Sequence, residues 1–159
     1  MELLNDYFST GHKVIIFSQF TTSFELFKKR FKEKGYKWFE LTGKTDAEDR
    51  IRMANEFNDE NNDTNVFLVS LKAGGTGLNL VGADIVIHLD PWWNYAVENQ
   101  ATDRAHRIGQ KRSVQVIKVI CENSIEQKVI ELQRIKKEVA DKIILSDEDN
   151  YNSIMILNI

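Results

Sequence analysis

The chain has 159 residues, 42% of them hydrophobic, and a formal net charge of −3 at pH 7. This length is sufficient to bury one sizeable core, so a single domain is expected. The single cysteine excludes a disulfide framework and a cysteine-based zinc site, and no apolar run reaches the roughly eighteen residues of a membrane span.

Two further features of the composition concern the compartment and the charge. Cys121 lies in the apolar segment VIKVICEN, which predicts a buried structural thiol and suits a reducing interior. Because the N-terminus lacks a secretory signal, we expect a soluble, intracellular protein without a membrane attachment. Residues 11–50 and 101–144 are mildly basic, whereas residues 51–100 are acidic. Such blocks permit a local phosphate-facing surface, but they are also typical of solvated helix faces.

Short apolar runs rich in β-branched residues alternate with helical patterns along the chain. In chain order, the predicted strands are KVIIFS, the weaker YKWFEL, NVFLVS, DIVIHLD and VQVIKVI. Nearly continuous apolar strands are typical of sheets that are buried on both faces. We therefore expect an α/β fold with a mostly parallel sheet and helices packed on each side.

The clearest early helix runs from about Thr22 to Lys34. Its spacing buries Phe24, Phe27 and Phe31, and Gly35 is a typical C-terminal signal.

The last predicted helix opens with a capping box formed by Ser124 and Gln127. It carries an apolar stripe that predicts packing against the core. The stripe consists of Ile125, Val129, Leu132, Ile135, Val139 and Ile143. From Ser146 the acidic, Asn-rich SDEDNYN breaks the periodicity, so we divide the chain into a domain over residues 1–145 and a tail over 146–159. The abrupt apolar end of this tail indicates a truncated fragment.

The tripeptide Gly43–Thr45 matches the end of a phosphate-binding P-loop. A complete G-x-x-x-x-G-K-[ST] motif needs a glycine where this chain has Trp38, and a bulky side chain there opposes close approach of the backbone to a phosphate. Thr45 followed by Glu48 is instead a capping box, which predicts Thr45 as the N-cap of a helix. The residues that continue this helix at the expected spacing are Ile51, Ala54 and Phe57.

The loop SLKAGGTGLNL, residues 70–80, follows a predicted strand directly. Ligands of such sheets bind at the carboxyl ends of the strands, and glycines allow the backbone to approach them. A dinucleotide fingerprint is excluded because Leu80 stands where its last glycine would fall. The pattern therefore indicates either a loop that contacts a ligand or an ordinary flexible connection. Its polar side chains are Ser70, Lys72, Thr76 and Asn79.

The segment ENQATDRAHRIGQKR, residues 98–112, carries two closely spaced arginines. Placed on a helix, it presents a narrow apolar stripe and an opposite polar face with Arg104 and Arg107. Two guanidinium groups so close repel unless an anion lies between or before them, and a phosphate chain suits such forked donors. A solvated face is the alternative. The stripe is Val97, Ala101, Ala105 and Ile108, and the polar face is completed by Gln100 and Asp103.

Four segments together, KVIIFSQF, LTGKTDAEDR, VSLKAGGTGLNLVGADIVIHLDPWWN and QATDRAHRIGQ, resemble the second RecA-like lobe of superfamily-two helicases. The resemblance covers about residues 12–145 in the same order and is specific to the Swi/Snf-type DNA translocases. DEAD-box RNA helicases end the last motif in Gly-Arg, whereas this chain has Gly-Gln. The resemblance implies a RecA-like three-layer α/β/α fold in an intracellular protein, either cytoplasmic or associated with the nucleoid or nucleus.

The resemblance also implies roles for individual residues. Arg104 and Arg107 would act as fingers on the γ-phosphate of ATP, with Gln100 orienting nearby. ATP and Mg²⁺ would be held mainly by an absent first lobe, since this chain lacks a Walker A motif. The glycine-rich loop would couple the ATP cleft to DNA through Gly75, Thr76 and Gly77. Contacts to double-stranded DNA would come from Ser18, Gln19, Lys44, Thr45, Ser70, Lys72 and Asn79.

Several observations leave alternatives open. The family usually has Asp, Ser, Ser and Pro at Thr42, Lys44, Asp46 and Tyr95. Two other functions are alternatives to a DNA translocase lobe. One is a free-standing DNA- or protein-binding module without ATPase activity, and the other is an RNA helicase lobe.

Structural roles are expected for most of the remaining polar and aromatic candidates. Asp90 precedes Pro91 rather than the Glu of a Walker B motif, so a loop-orienting role is expected. His88 and His106 have no metal-ligand companions at suitable spacing, and we expect no metal site in this chain. The adjacent pair Trp92–Trp93 predicts a contact with DNA or with the partner lobe, or burial at the lobe surface.

Overall fold

Six strands form one sheet in the computed structural model, which describes residues 1–74, 77–107, 110, 112–143 and 154–158. The strands are β1 (Val14–Ser18), β2 (Trp38–Leu41), β3 (Val66–Ser70), β4 (Ile85–His88), β5 (Gln115–Ile120) and β6 (Ile154–Asn158). Their order across the sheet is β2-β3-β1-β4-β5-β6, and every neighbouring pair is parallel. All five predicted strands are present, so the predicted α/β fold is confirmed. β6 falls inside the segment that we assign to the tail, and the boundary at residue 145 stays a prediction.

Helices cover both faces of this sheet. They are α1 (Glu2–Ser9), α2 (Phe24–Lys34), α3 (Ala47–Asn58), the single turn α4 (Leu71–Gly74), α5 (Tyr95–Thr102) and α6 (Ile125–Ile143). Leu4 of α1 and Phe31 of α2 pack in one core cluster, and Phe57 of α3 and Ala101 of α5 pack in another. Successive β1 residues alternate between the two clusters, as the period of two in a strand requires. The result is a three-layer α/β/α arrangement.

The connections after β1 and β3 leave the sheet on opposite faces. β1 leads into α2 and β3 leads into α4, and these helices belong to different layers. Since β1 and β3 are neighbours, their outgoing loops separate at the carboxyl ends of the strands. This is the position where open α/β sheets form a ligand crevice.

The prediction for α2 is confirmed. Phe24 and Phe31 are fully buried, and Phe27 packs against the same cluster while remaining partly exposed. Gly35 ends the helix with a φ of 71°, a left-handed conformation that favours glycine.

The prediction that Thr45 caps α3 was wrong. Asp46 is the N-cap, and its Oδ1 accepts a hydrogen bond from the Asp49 backbone N at 2.8 Å. Thr45 instead closes the preceding turn, because its Oγ1 accepts from the Thr42 backbone N at 3.0 Å. The predicted continuation of the helix is confirmed for Ala54 and Phe57, which are buried together with Met53, whereas Ile51 is exposed.

Helix α6 begins where predicted, but its packing differs. Ser124 Oγ accepts from the Glu126 backbone N at 3.1 Å, and the Gln127 side chain accepts from the Asn123 backbone N at 3.1 Å. The predicted burial of the apolar stripe was wrong for Ile125, Leu132 and Ile135, which are exposed.

Cys121 is also exposed, so the prediction of a buried thiol was wrong. The residue follows β5 directly and therefore lies outside the buried part of the strand. The negative charge of the adjacent Glu126 carboxylate is the main cause that raises the pKa of the Cys121 thiol.

Candidate nucleotide-facing and nucleic-acid-facing surfaces

Six of the seven predicted DNA-contact residues lie at the carboxyl ends of three adjacent strands. Because β2, β3 and β1 are neighbours and parallel, the segments that follow them meet at one edge of the sheet, here called the carboxyl edge. Ser18 and Ser70 are the last residues of β1 and β3, whereas Gln19 follows β1, Lys44 and Thr45 follow β2, and Lys72 follows β3.

These six side chains differ in their availability to a ligand. Ser18 and Ser70 are buried, and their hydroxyl oxygens accept from the backbone N of Phe20 at 3.0 Å and of Ala73 at 3.3 Å. Lys44 and Lys72 are exposed. Of these six residues, Lys44 and Lys72 are therefore the two that present a positive charge to solvent, while the serines order the loops that follow β1 and β3.

Asp90 holds the loops after β1 and β4 together. Its Oδ2 accepts from the Gln19 backbone N at 2.8 Å. Burial raises the pKa of the Asp90 carboxyl, and hydrogen bonds from Ser18 and Gln19 oppose this shift. The loop-orienting role predicted for Asp90 is thus confirmed.

The aromatic side chains at this edge are partly open to solvent. Trp93 is 61% exposed and Phe20 is 59% exposed, whereas Trp92 is partly buried against a core cluster. Trp93 and Phe20 therefore remain free for contact with another surface.

The segment with the two arginines is a short helix followed by a turn. Helix α5 ends at Thr102, and Asp103 is its C-cap. The prediction of one helical face from Gln100 to Arg107 was therefore wrong. The backbone N of Ala105 bonds the Thr102 carbonyl at 3.0 Å, which begins the turn over residues 103–107, here called the arginine turn. Ala101 and Ala105 are buried as predicted, and Ile108 lies outside the described residues.

The two arginines have opposite exposures. Arg104 is only 4% exposed, whereas Arg107 and Gln100 are exposed. Within the described part of the chain, Arg104 pairs with no carboxylate and its Nε has no hydrogen-bond partner. Burial lowers the pKa of the Arg104 guanidinium, the charge of Arg107 lowers it further, and Asp103 opposes both. An arginine with an unsatisfied buried nitrogen is a site where an added anion gains both charge and hydrogen bonds.

The glycine-rich loop runs alongside the arginine turn. The backbone N of Leu80 donates to the Arg104 carbonyl at 2.8 Å. Gly77 has a φ of +77°, which other residues rarely adopt. Gly75 and Thr76 lie outside the described residues. The structure therefore brings Gly77 and the arginine turn onto adjoining segments of chain.

Asn79 lies apart from the other predicted DNA contacts. Its backbone carbonyl accepts from Asn58 Nδ2 at 2.8 Å, at the C-terminal end of α3. Gly82 follows, and a Cβ on it would lie 2.6 Å from the Phe57 carbonyl oxygen. This close approach fixes the loop against the end of α3. Asn79 therefore lies beside the C-terminal end of α3, whereas the other six residues lie at the carboxyl edge.

A buried polar network next to α5 was missed by the sequence analysis. Glu98 and Lys118 are 1% and 6% exposed and form an ion pair with Nζ and Oε2 2.6 Å apart. Lys118 Nζ also donates to Gln133 Oε1 of α6 at 2.7 Å. Glu98 and Gln133 in turn accept from and donate to the Trp92 backbone. The signal in the sequence was a lysine inside the apolar strand VQVIKVI, since a buried charge requires a partner.

The two histidines considered as possible ligands have different environments. His88 is buried, its Nε2 lies 3.0 Å from Thr102 Oγ1, and its ring stacks on Phe17. His106 is exposed. Among the described residues, no group of three or more His, Cys, Asp or Glu side chains is placed to hold a metal ion. A search of that same part of the chain finds no helix with the length and apolar character needed to cross a membrane.

Comparison with known proteins adds to these observations. The family model of the helicase conserved C-terminal domain matches residues 1–109. The chain is 44% identical over 154 residues to an uncharacterized ATP-dependent helicase of Mycoplasma pneumoniae, covering 97% of this chain and 15% of that protein. It is 39% identical over 142 residues to the SWI/SNF chromatin-remodeling complex subunit snf22 of Schizosaccharomyces pombe, covering 89% of this chain and 8% of that protein. The crystal structure of the C-terminal part of the Fun30 ATPase domain superposes with a TM-score of 0.76 at 37% identity, covering 83% of this chain and 43% of that chain.

Proposed function

Because this chain belongs to the helicase C-terminal domain family, in its Swi/Snf branch, we propose that it is the second motor lobe of an ATP-dependent double-stranded-DNA translocase. The chain spans about 15% of the length of the Mycoplasma pneumoniae relative, so the activity of the whole protein is part of this proposal. Its cofactors would be ATP and Mg²⁺, and its partners the first RecA-like lobe of the same polypeptide and duplex DNA.

The observation that carries the proposal is the buried, unpaired guanidinium of Arg104 beside the exposed Arg107. Phosphoryl transfer spreads negative charge over the oxygens of the transferred group, and arginines supplied across an interface stabilise this charge. Arg104 is held in place by its burial and by the Leu80 contact to its carbonyl, while Arg107 extends into solvent. In this proposal both reach the γ-phosphate of ATP bound to the first lobe, and the exposed Gln100 orients nearby.

The residues of this chain fit part of an ATP site and leave the rest to the first lobe. Two guanidinium groups suit the terminal phosphate. The motif ending at Thr45 lacks the glycine of a P-loop, and Asp90 is engaged by the Gln19 backbone. ATP, when bound, supplies the phosphoanhydride bond whose cleavage drives the motor. The triphosphate and Mg²⁺ would therefore be held mainly by the first lobe.

The carboxyl edge is the proposed DNA track. Lys44, after β2, and Lys72, after β3, are exposed there, and lysines of this kind bind DNA phosphates. Residues 70–80 are the proposed coupling element, because Ser70 ends β3 at this edge and the Leu80 backbone N donates to the Arg104 carbonyl of the arginine turn. Gly75, Thr76 and Gly77 stay its predicted coupling residues. Ser18, Gln19, Thr45, Ser70 and Asn79 stay predicted contacts or loop-ordering residues.

The first prediction tests the finger role directly. In the full-length protein, Arg107→Ala should reduce the kcat of DNA-stimulated ATP hydrolysis by about 10³-fold or more. The reason is that the guanidinium that stabilises negative charge on the phosphoryl oxygens in the transition state is removed. Nucleotide binding should persist, since the first lobe holds the triphosphate. The matched control is Arg134→Ala, which removes an exposed arginine paired with Glu131 and Glu138 on α6. Unchanged turnover in Arg107→Ala would refute the finger assignment.

The same assay separates the proposal from its alternatives. Stimulation by duplex DNA supports a DNA translocase, whereas stimulation by RNA alone would favour an RNA helicase lobe. A full-length protein that binds DNA without any ATPase activity would instead indicate a binding module.

A further inference from the structure

Gln110, the last residue of DRAHRIGQ, joins three segments of the chain through its side chain. Its Nε2 lies 2.7 Å from the Ala83 carbonyl oxygen, 3.1 Å from that of Val81 and 3.2 Å from that of Ala105. Val81 and Ala83 belong to the loop that leads from the glycine-rich segment to β4, and Ala105 belongs to the arginine turn. One amide group therefore ties the coupling loop to the segment that carries both arginines.

The backbone of Gln110 holds Arg107 as well. Its N–H donates to the Arg107 carbonyl at 3.0 Å. The side chain of the same residue binds the Ala105 carbonyl. Gln110 therefore holds the backbone at two points, Ala105 and Arg107, which are the neighbours of His106 in the sequence. The exposed Arg107 side chain thus extends from an ordered turn.

The chemistry of this position calls for a primary amide. Three carbonyl oxygens surround Nε2, which identifies it as the donor end, and Oε1 accepts from the Arg112 backbone N at 2.9 Å. A glutamate of the same length would direct a carboxylate at carbonyl oxygens, and a methionine would supply neither donor nor acceptor. Glutamine therefore satisfies both ends of the side chain at once.

We propose that Gln110 is a positioning residue that sets the place of Arg107 relative to the coupling loop. This inference rests on the finger role proposed for Arg107. Gln110 acts on hydrolysis through the backbone of the arginine turn, and its own side chain is engaged with protein carbonyls rather than with the triphosphate.

The test uses the full-length protein and compares Gln110→Glu with the wild type in DNA-stimulated ATP hydrolysis. We expect kcat to fall by about 10- to 100-fold, because small displacements of a reacting group have effects of that size. The KM for ATP should change by less than about twofold, since the interaction lost operates in the transition state. Gln127→Glu is the matched control: it makes the same chemical change on α6, where the side-chain oxygen accepts from the Asn123 backbone N, a hydrogen bond that a carboxylate can also accept.

A double-variant comparison distinguishes positioning from a general effect on folding. If Gln110 acts through Arg107, the pair Arg107→Ala and Gln110→Met together should be no slower than Arg107→Ala alone. If the double variant loses kcat by the product of the two single losses, the inference is overturned. A wild-type kcat in Gln110→Glu would overturn it as well. Should Gln110→Glu fail to fold, Gln110→Met takes its place with the same expectation.

If Arg107→Ala is inactive while the Gln110 variants are normal, this inference fails and the proposed function stands. Normal turnover in Arg107→Ala would remove both.

Discussion

Four of the buried titratable groups in the described part of the chain, Glu98, Lys118, Arg104 and His88, occupy three different environments. Glu98 and Lys118 are buried as an ion pair, whereas Arg104 is buried beside another arginine. His88 is buried between an aromatic ring and a threonine hydroxyl, and burial is the main cause that lowers its pKa to about 4. The Glu98 charge opposes this shift and the Lys118 charge adds to it. Of the three charged groups, Arg104 is the one without an oppositely charged partner among the described residues, and it is the one with a proposed external ligand.

The lowered pKa of His88 predicts how stability depends on pH. The unfolded chain binds a proton at this residue below pH 6.5, while the folded chain resists protonation down to about pH 4. The unfolding free energy should therefore fall as pH decreases between these two values. Between pH 7 and pH 5 the His88 contribution amounts to about 2 kcal/mol. In His88→Gln that part of the pH dependence should be absent, as urea denaturation at the two pH values would measure.

The control for this experiment is His106→Gln, which removes a histidine from an exposed turn. The comparison concerns the difference between pH 7 and pH 5, so a general loss of stability in His88→Gln does not affect it. Equal pH dependence in His88→Gln and the wild type would rule out burial of His88 as a source of acid sensitivity.

At the level of elements, the ion pair Glu98–Lys118 connects three pieces of secondary structure. Glu98 lies on α5, Lys118 on β5, and Gln133 on α6 accepts from the same ammonium group. Removal of one partner leaves a buried charge without compensation. We expect Lys118→Met to lower the unfolding free energy by about 3–5 kcal/mol, measured by urea denaturation.

The second variant in this series is Lys118→Met combined with Glu98→Gln. It removes both charges and keeps an amide that can accept from the Trp92 backbone. Most of the lost stability should return, because the uncompensated charge is gone. If the double variant is as unstable as Lys118→Met, lost packing of the lysine stem rather than charge would be the cause.

The regular elements were predictable from the sequence because their signals are local. The apolar runs such as VIIFS and VFLVS indicate buried strands, and Gly35 marks the end of α2. The end of α5 was not predictable in this way. The spacing of Gln100, Arg104 and Arg107 fits a continuous helix, but α5 ends at Thr102, and the Arg104 carbonyl accepts from Leu80, a residue distant in the sequence. Long-range contacts of this kind leave no periodic trace in the sequence.

The candidate site was predictable in its residue types more than in its geometry. The resemblance to known motor lobes selected Arg104 and Arg107, yet their opposite exposures follow from the turn after Thr102. The role of Gln110 depends on three carbonyls from two other segments, and no spacing rule encodes it.

The whole molecule carries a net charge of −3 and is nevertheless proposed to bind DNA. The distribution of charge resolves this conflict. Lys44 and Lys72 are exposed at the carboxyl edge, whereas Arg52 and Arg134, on α3 and α6, are each paired with two carboxylates of their own helix. The proposed surface for the DNA backbone is thus the carboxyl edge, and the proposed ATP contact is the arginine turn, whose Arg104 carbonyl accepts from the Leu80 backbone N.

The salt dependence of DNA binding tests this assignment. Neutralising a phosphate with a lysine releases bound counterions, so each such contact contributes about 0.9 to the slope of log K against log salt concentration. In the full-length protein, Lys44→Ala and Lys72→Ala should each reduce the magnitude of this slope by about 1, measured by fluorescence anisotropy with a labelled duplex. The control is Lys37→Ala, which removes an exposed lysine paired with Asp63 just before β2, at the opposite edge of the sheet. A slope that changes equally in all three variants would mean that general charge, rather than the carboxyl edge, attracts the DNA.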